Sequence, residues 1–336
     1  MGAEAHRRVC QDYLAPRRLT QELDLIDGSR TERPECAGGW FGHATCRSVG
    51  VTSRSVGLAG EEGSDAAGLR IVMLALAVVL AGLVAQPAWA APPLPASMAA
   101  IGDSITRAYD VCCSYGDHPG QSWSAGSTSY DGIASHYERI KQLNPPITGH
   151  AFNDAVSGAK MAQAPDQAAK AVGQGARYVT ILLGANDLCT SSPSTMTSTD
   201  TFRTQFSQAM ATLMAQDRDP YVFVGSIPNL YQLWEVLHTN SLARWVWATA
   251  NICQSMLGAT RTEAERQLVV DREVAFNQIL AEVCAKYTRC RWDNGAVYNV
   301  QFSASQVSAL DFFHPSLSGQ AALARVTWTA SWWPNS

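Results

Sequence analysis

Charge is scarce in this chain. Only 16% of its 336 residues are Asp, Glu, Lys or Arg, and the formal net charge is -4 with a pI near 6.0. A nucleic-acid partner needs a basic face to neutralise phosphates, so that class of function is excluded. Metal-ligand spacings are missing as well: no Cys-x-x-Cys and no His-x-x-x-His pair occurs. A zinc site is therefore not expected, and neither a metal nor an organic cofactor is called for. Nor does the apolar run at 71–84 reach the ~20 residues that span hydrocarbon. What remains is a chain that is 46% hydrophobic, enough for a sizeable buried core in one large domain. Arg greatly outnumbers Lys, which bears on genome composition and not on fold.

The apolar run has a recognisable setting. Arg70 precedes it, Pro87 follows it, and Ala88-Trp89-Ala90 closes it. A positive flank, an apolar centre and an Ala-x-Ala site describe a secretory signal peptide over residues 70–90, cleaved after Ala90. The competing reading, an uncleaved anchor, is disfavoured by the short run and by Pro87. Residues 1–69 lack helical or alternating periodicity. They are either a mis-annotated extension, with translation starting near Met73 or a little upstream, or a disordered one; the internal position of the signal favours the first. The expected mature domain is 91–336, exported, monomeric and not stably inserted in a membrane.

Cysteine usage fits export. Of nine cysteines, Cys10, Cys36 and Cys46 precede the cleavage site, leaving Cys112, Cys113, Cys189, Cys253, Cys284 and Cys290. Six cysteines allow about 15 connectivities. The expected pairs are Cys284–Cys290, Cys189–Cys253 and, by remainder, the vicinal Cys112–Cys113.

Short apolar runs at 97–102, 149–155, 178–184, 221–227 and 297–302 read as strands. Helix-length segments at 133–143, 163–173, 201–215 and 230–286 lie between them, with Asp131 and Asp200 as N-cap or first-turn residues. Alternating strands and helices predict a three-layer α/β/α sandwich around a five-stranded parallel sheet of flavodoxin-like type. In such sheets ligands sit beyond the carboxyl ends of the strands. The Gly- and Ser-rich segment 116–129, with Trp123 at its centre, reads as a loop after the helix expected to follow the first strand, either lining the cleft or lying on the surface.

Four blocks fall at those strand ends. They are Gly102-Asp103-Ser104, Asn153-Asp154-Ala155-Val156-Ser157-Gly158, Gly184-Ala185-Asn186-Asp187 and Asp311-Phe312-Phe313-His314. Each alone is a common turn or loop sequence. Together they resemble the blocks of the SGNH (GDSL-type) hydrolases, over residues 94–336, with Ile105 where the usual motif has Leu. Within that family the chain most resembles secreted actinobacterial lipases and esterases. The resemblance implies Ser104, His314 and Asp311 as a catalytic triad, and the backbone N–H of Ser104, the N–H of Gly158 and the amide of Asn186 as an oxyanion hole. The chemistry suits the residue types. A serine hydroxyl needs a base, and the base a carboxylate to fix its tautomer. An Asp-x-x-His spacing delivers both from one turn, and Pro315 disfavours helix at the histidine. Asp103 is expected to brace the nucleophile turn.

Among the other histidines, His118 is the next candidate base; His136, His150 and His238 read as ordinary polar or helix-surface residues. The stretch 227–257, with Tyr231, Trp234, Trp245, Trp247, Leu230, Leu233, Leu237 and Met256, is either core or an apolar wall for an acyl chain. The expected activity is hydrolysis of lipid-like carboxylic esters through an acyl-Ser104 intermediate. Alternatives are a carbohydrate acetylesterase on the same machinery and, from a different class, a non-catalytic surface or carbohydrate-binding protein.

Overall fold

The computed structural model describes residues 91–216 and 219–334. The readings on residues 1–69 and on the signal peptide at 70–90 lie outside them. The strands are β1 (Met98–Gly102), β2 (Ala151–Asn153), β3 (Tyr178–Leu182), β4 (Tyr221–Val224) and β5 (Cys290–Trp292). All pair in parallel in the order β2-β1-β3-β4-β5. The helices are α1 (His136–Leu143), α2 (Ala164–Gly173), α3 (Ala185–Leu188), α4 (Thr199–Leu213), α5 (Leu230–Leu237), α6 (Ser241–Thr249), α7 (Gln254–Leu257), α8 (Glu263–Cys284) and α9 (Leu317–Ala330).

The period of two along each strand divides the core between two faces. Ala99, Ile101, Val179, Ile181, Val222 and Val224 enter one cluster, which Phe202 and Phe206 of α4 and Phe276 of α8 complete. Met98, Tyr178 and Phe223 point the other way, toward Tyr137 and Ile140 of α1 and Trp328 of α9. Both faces of the sheet are thus covered, which is why its central strands are continuous apolar runs. Helix starts follow local chemistry. Ser135 and Thr262 form capping boxes with Glu138 and Glu265, while Ser198 and Ser316 cap α4 and α9.

Several expectations need correction. The fifth strand is Cys290–Trp292, not 297–302. Asp293 accepts hydrogen bonds from the N–H groups of Gly295 and Val297, and Asn294 and Gly295 adopt φ of 56° and 78°, so the chain turns there instead of extending. Asp131 does not cap α1; its Oδ1 accepts from Ile133 N at 2.8 Å in a turn before the helix. Asp200 lies in the first turn of α4 as expected. No helix follows Ser104: residues 104–110 form consecutive turns in which Ala108 and Asp110 have φ of 49° and 51°. Trp123 lines neither cleft nor surface but is fully buried among Ile105, Leu182 and Leu323. Helix α9 had no counterpart in the sequence reading. Of the three expected disulfides, the structure describes Cys189–Cys253 and Cys284–Cys290.

His136 is also not a surface residue. It is fully buried, with Tyr178 Oη 2.8 Å from Nδ1 and Thr327 Oγ1 2.9 Å from Nε2. Burial, with Arg139 nearby, pushes its pKa down to about 3. The unfolded chain takes up this proton near pH 6.5, so the neutral histidine costs stability progressively as pH falls from that value toward 3. The variant His136→Gln is expected to lose packing at pH 7. It should then gain on the wild type in melting temperature as pH is lowered to 4; a difference independent of pH would contradict this.

Candidate active site

The site lies at the carboxyl edge of the sheet, at the β1/β3 point where the strand order reverses, the place where open α/β sheets bind ligands. Strand β1 is buried along its whole length and ends at Gly102. A Cβ there would stand 2.4 Å from Thr106 Oγ1 and 2.7 Å from the Leu182 carbonyl, so only glycine lets the chain turn this tightly. Gln167 of α2 clamps the same residue, accepting from Gly102 N at 2.8 Å and donating to its carbonyl at 3.0 Å. Asp103 Oδ1 accepts from Ile105 N at 2.9 Å, the bracing role expected of it. From the far end of the chain, Gln320 of α9 donates to the Ile105 carbonyl at 2.7 Å. Ser104 is thereby presented on a fixed turn.

The C-terminal block comes to meet it. His314 Nε2 lies 2.7 Å from Ser104 Oγ, and His314 Nδ1 lies 2.5 Å from Asp311 Oδ2. Asp311 Oδ1 accepts from the N–H groups of Phe313 and His314 at 2.8 and 3.1 Å, so the carboxylate organises its own turn. Phe312, inside that turn, has φ of 57°, a strained conformation for a bulky residue. Trp247 Nε1 on α6 holds it by donating to the Phe312 carbonyl at 3.0 Å. The antiparallel bridge between Val307 and Pro315 and the Ser308 N–H to His314 carbonyl bond close the loop.

Gly158 and Asn186 line the same cleft as Ser104, Asp311 and His314. The glycine is required at 158 by backbone conformation, φ 82°, since a Cβ would meet nothing within 4 Å. Among the described residues, the N–H groups of Ser104 and Gly158 donate to no protein acceptor. Asn186 stands on α3, and its Nδ2 donates one hydrogen to the Ala159 carbonyl at 3.0 Å, leaving the second for the cleft. Thus the five residues picked from sequence share one cleft. His118 does not reach it and instead pairs with Ser114 at 3.0–3.3 Å.

Two groups escaped the sequence reading, while Trp245 takes the wall alternative offered for its stretch. Tyr109 packs its ring 5.1 Å from that of His314, and Asp110 and Trp245 contribute to the cleft walls. None carries a sequence signal beyond its proximity to Ser104 or its place in the aromatic stretch. That stretch splits in the structure. Trp245, Val246 and Ile252 face the cleft, Leu230, Leu233 and Val236 line an adjoining apolar pocket, and Trp247, Leu237 and Met256 are core. Of the remaining aromatics, Tyr231 donates to Glu263, and Trp234 lies under the Arg266 guanidinium at 4.4 Å. Among the described residues no cluster of His, Cys, Asp or Glu could hold a metal ion.

Burial pushes the pKa of Asp103 up to about 7, with Asp187 adding to the rise. Here the folded state retains a proton that the unfolded chain releases near pH 3.8, so stability declines as pH rises from about 4 to 7. This slope opposes that of His136. Asp103→Asn keeps an acceptor for Ile105 N and should gain on the wild type in melting temperature between pH 5 and pH 8. A gain confined to pH 5 would contradict the assignment.

No curated protein matches the chain in sequence. Among solved structures it is similar to an extracellular lipase from Streptomyces rimosus, at 15% identity over 70% of this chain and 99% of that one, with a TM-score of 0.40. It is also similar to a family two carbohydrate esterase from Clostridium thermocellum, at 16% identity over 69% and 62% of the two chains, TM-score 0.40. A third likeness is to a GDSL-like lipase from Bacteroides thetaiotaomicron, at 14% identity over 76% and 95%, TM-score 0.38. Residues 98–326, which run from the first residue of β1 into α9 and include all four blocks, match the model of one family. The chain belongs to the GDSL-like lipase/acylhydrolase family and is an ester hydrolase.

Proposed function

We propose that this protein is a secreted serine esterase or lipase that cleaves carboxylic esters, lipid-like ones above all, through an acyl-Ser104 intermediate. The observation that carries the reading is the unbroken chain from Ser104 Oγ to His314 Nε2 and from His314 Nδ1 to Asp311, open to a cleft. With Nδ1–H donated to Asp311, Nε2 is left as the acceptor for the serine proton. Attack of Ser104 Oγ on the ester carbonyl moves that proton to His314 and leaves negative charge on the carbonyl oxygen. The N–H groups of Ser104 and Gly158 and the second amide hydrogen of Asn186 are the donors for it, preorganised without a charge to desolvate. His314 then returns the proton to the departing alkoxide. Water, deprotonated by the same imidazole, resolves the acyl enzyme and restores Ser104.

An apolar pocket favours acyl chains over acetyl groups. It is narrow, about 50 Å³, and is walled by Leu233 and Val236 of α5 with Phe302 and Val307. Ile105, Ala185 and Phe313 also line it, each next in sequence to Ser104, Asn186 or His314, and Phe313 lines the cleft as well. The disulfides Cys189–Cys253 and Cys284–Cys290 support an oxidising, extracellular setting for the domain at 91–336.

Two measurements test this reading. Ser104→Ala is expected to abolish ester hydrolysis with the melting temperature retained; a variant that still turns over would remove the nucleophile. On a series of p-nitrophenyl esters, kcat/KM should rise by about fourfold for each methylene added until the pocket is full. A steep preference for acetate would instead favour the acetylesterase.

A further inference from the structure

One more carboxylate faces the hydrogen-bonded chain, outside the blocks that the sequence singled out. Asp110 ends the turn that begins at Ser104, is 3% exposed and lies in the cleft wall with Asp311 and His314. Its backbone has a φ of 51°, a left-handed conformation that Asp and Asn tolerate best among residues with side chains. A small loop holds it there: its N–H donates to the Gly116 carbonyl at 2.9 Å, and the Gly116 N–H donates to its Oδ1 at 2.7 Å. The hydroxyl of Ser308, from the loop that carries His314, donates to its carbonyl. The nucleophile turn and the base loop are therefore tied together at this residue.

Its carboxyl shares the cleft wall with that of Asp311, whose charge acts on it. The two are not equivalent. Asp311 receives three N–H donors, from Phe313, His314 and the imidazole. Asp110 receives one, from Gly116. Ionised, Asp110 sets a second negative charge in the wall that holds Asp311 and His314. Asp311 and His314 act on Asp110 across the loop, and Tyr109 flanks it on its own turn. Burial is the main cause that raises its pKa above the ordinary carboxylate value, and Asp311 adds to the rise.

We propose that Asp110 is a positioning residue of the reaction: acting through Asp311 and His314, its carboxylate stabilises the imidazolium that forms when Ser104 gives up its proton. This rests on the Ser104–His314–Asp311 reading above. A neighbouring negative charge favours the protonated base both in the free enzyme and in the transition state. Removing it takes that support away from the imidazolium.

The variant Asp110→Asn isolates the charge. Asparagine accepts the left-handed backbone and still offers an oxygen to Gly116 N. The readout is the pH profile of kcat/KM on a soluble short-chain ester. The acid limb is expected to move to lower pH by about half a unit to one unit, while kcat at neutral pH falls roughly threefold to tenfold and KM stays within about twofold. In a His314→Ala background the same substitution should change nothing further. A profile superimposable on that of the wild type, or a limb moved to higher pH, overturns the proposal. Should Asp110→Asn fail to fold, Asp110→Ser must show the same displacement. Activity retained in Ser104→Ala would sink the triad and this proposal with it; an inactive Ser104→Ala beside an unchanged Asp110→Asn profile would sink this proposal alone.

Discussion

A bond of 2.7 Å joins Ser104 to His314 across 210 residues of chain, and the fold is arranged to hold it. Proton transfer tolerates little slack, because a donor and acceptor 1 Å too far apart no longer share a hydrogen. The serine side is fixed by the end of a fully buried central strand, by the glutamine clamp on Gly102 and by the close approach that only a glycine allows. The histidine side depends on a tight turn that would be strained if left alone. Its Phe312 carbonyl is pinned by Trp247, and its backbone N–H groups are gathered by Asp311. Helix α9 completes the closure, since Gln320 reaches back to both Ile105 and Trp123. Both partners of the bond are therefore located by elements that are themselves core.

The same core carries polar groups that oppose each other in their response to pH. His136 is held neutral between two hydroxyls, and Asp103 is held protonated to about pH 7, each by burial. Glu273, on α8, is also fully buried and raised well above the ordinary carboxylate value, with the Leu230 N–H donating to it at 3.3–3.4 Å. That N–H opens α5, the helix that walls the apolar pocket. Substrate-facing elements are thus anchored through groups whose burial carries a cost in stability.

How much of this was legible depended on where each signal lay. Strands β1, β3 and β4 are buried on both faces and read as unbroken apolar runs, so they were found. Strand β5 is a three-residue edge strand of intermediate burial containing Arg291, which leaves no alternation to detect. The Val297–Phe302 run looked more like a strand, yet Asp293-Asn294-Gly295 ahead of it is a turn signal that should have been weighed. Site residues were legible because their chemistry is carried by short blocks. Trp247, Tyr109 and Asp110 were not, because they act by position: a carbonyl to hold, a ring to flank, a second charge next to a first. His136 was misjudged since amphipathic spacing does not reveal that a polar side chain will find two hydroxyls inside the core.

The proposed acyl-enzyme chemistry requires that His314, and no other group in the cleft, activate Ser104. Mapping the adduct of a fluorophosphonate probe by peptide mass spectrometry tests this directly. The expected result is a single adduct, on Ser104, formed at least about 10²-fold more slowly in His314→Ala. Labelling at another residue, or a rate indifferent to His314, would contradict it.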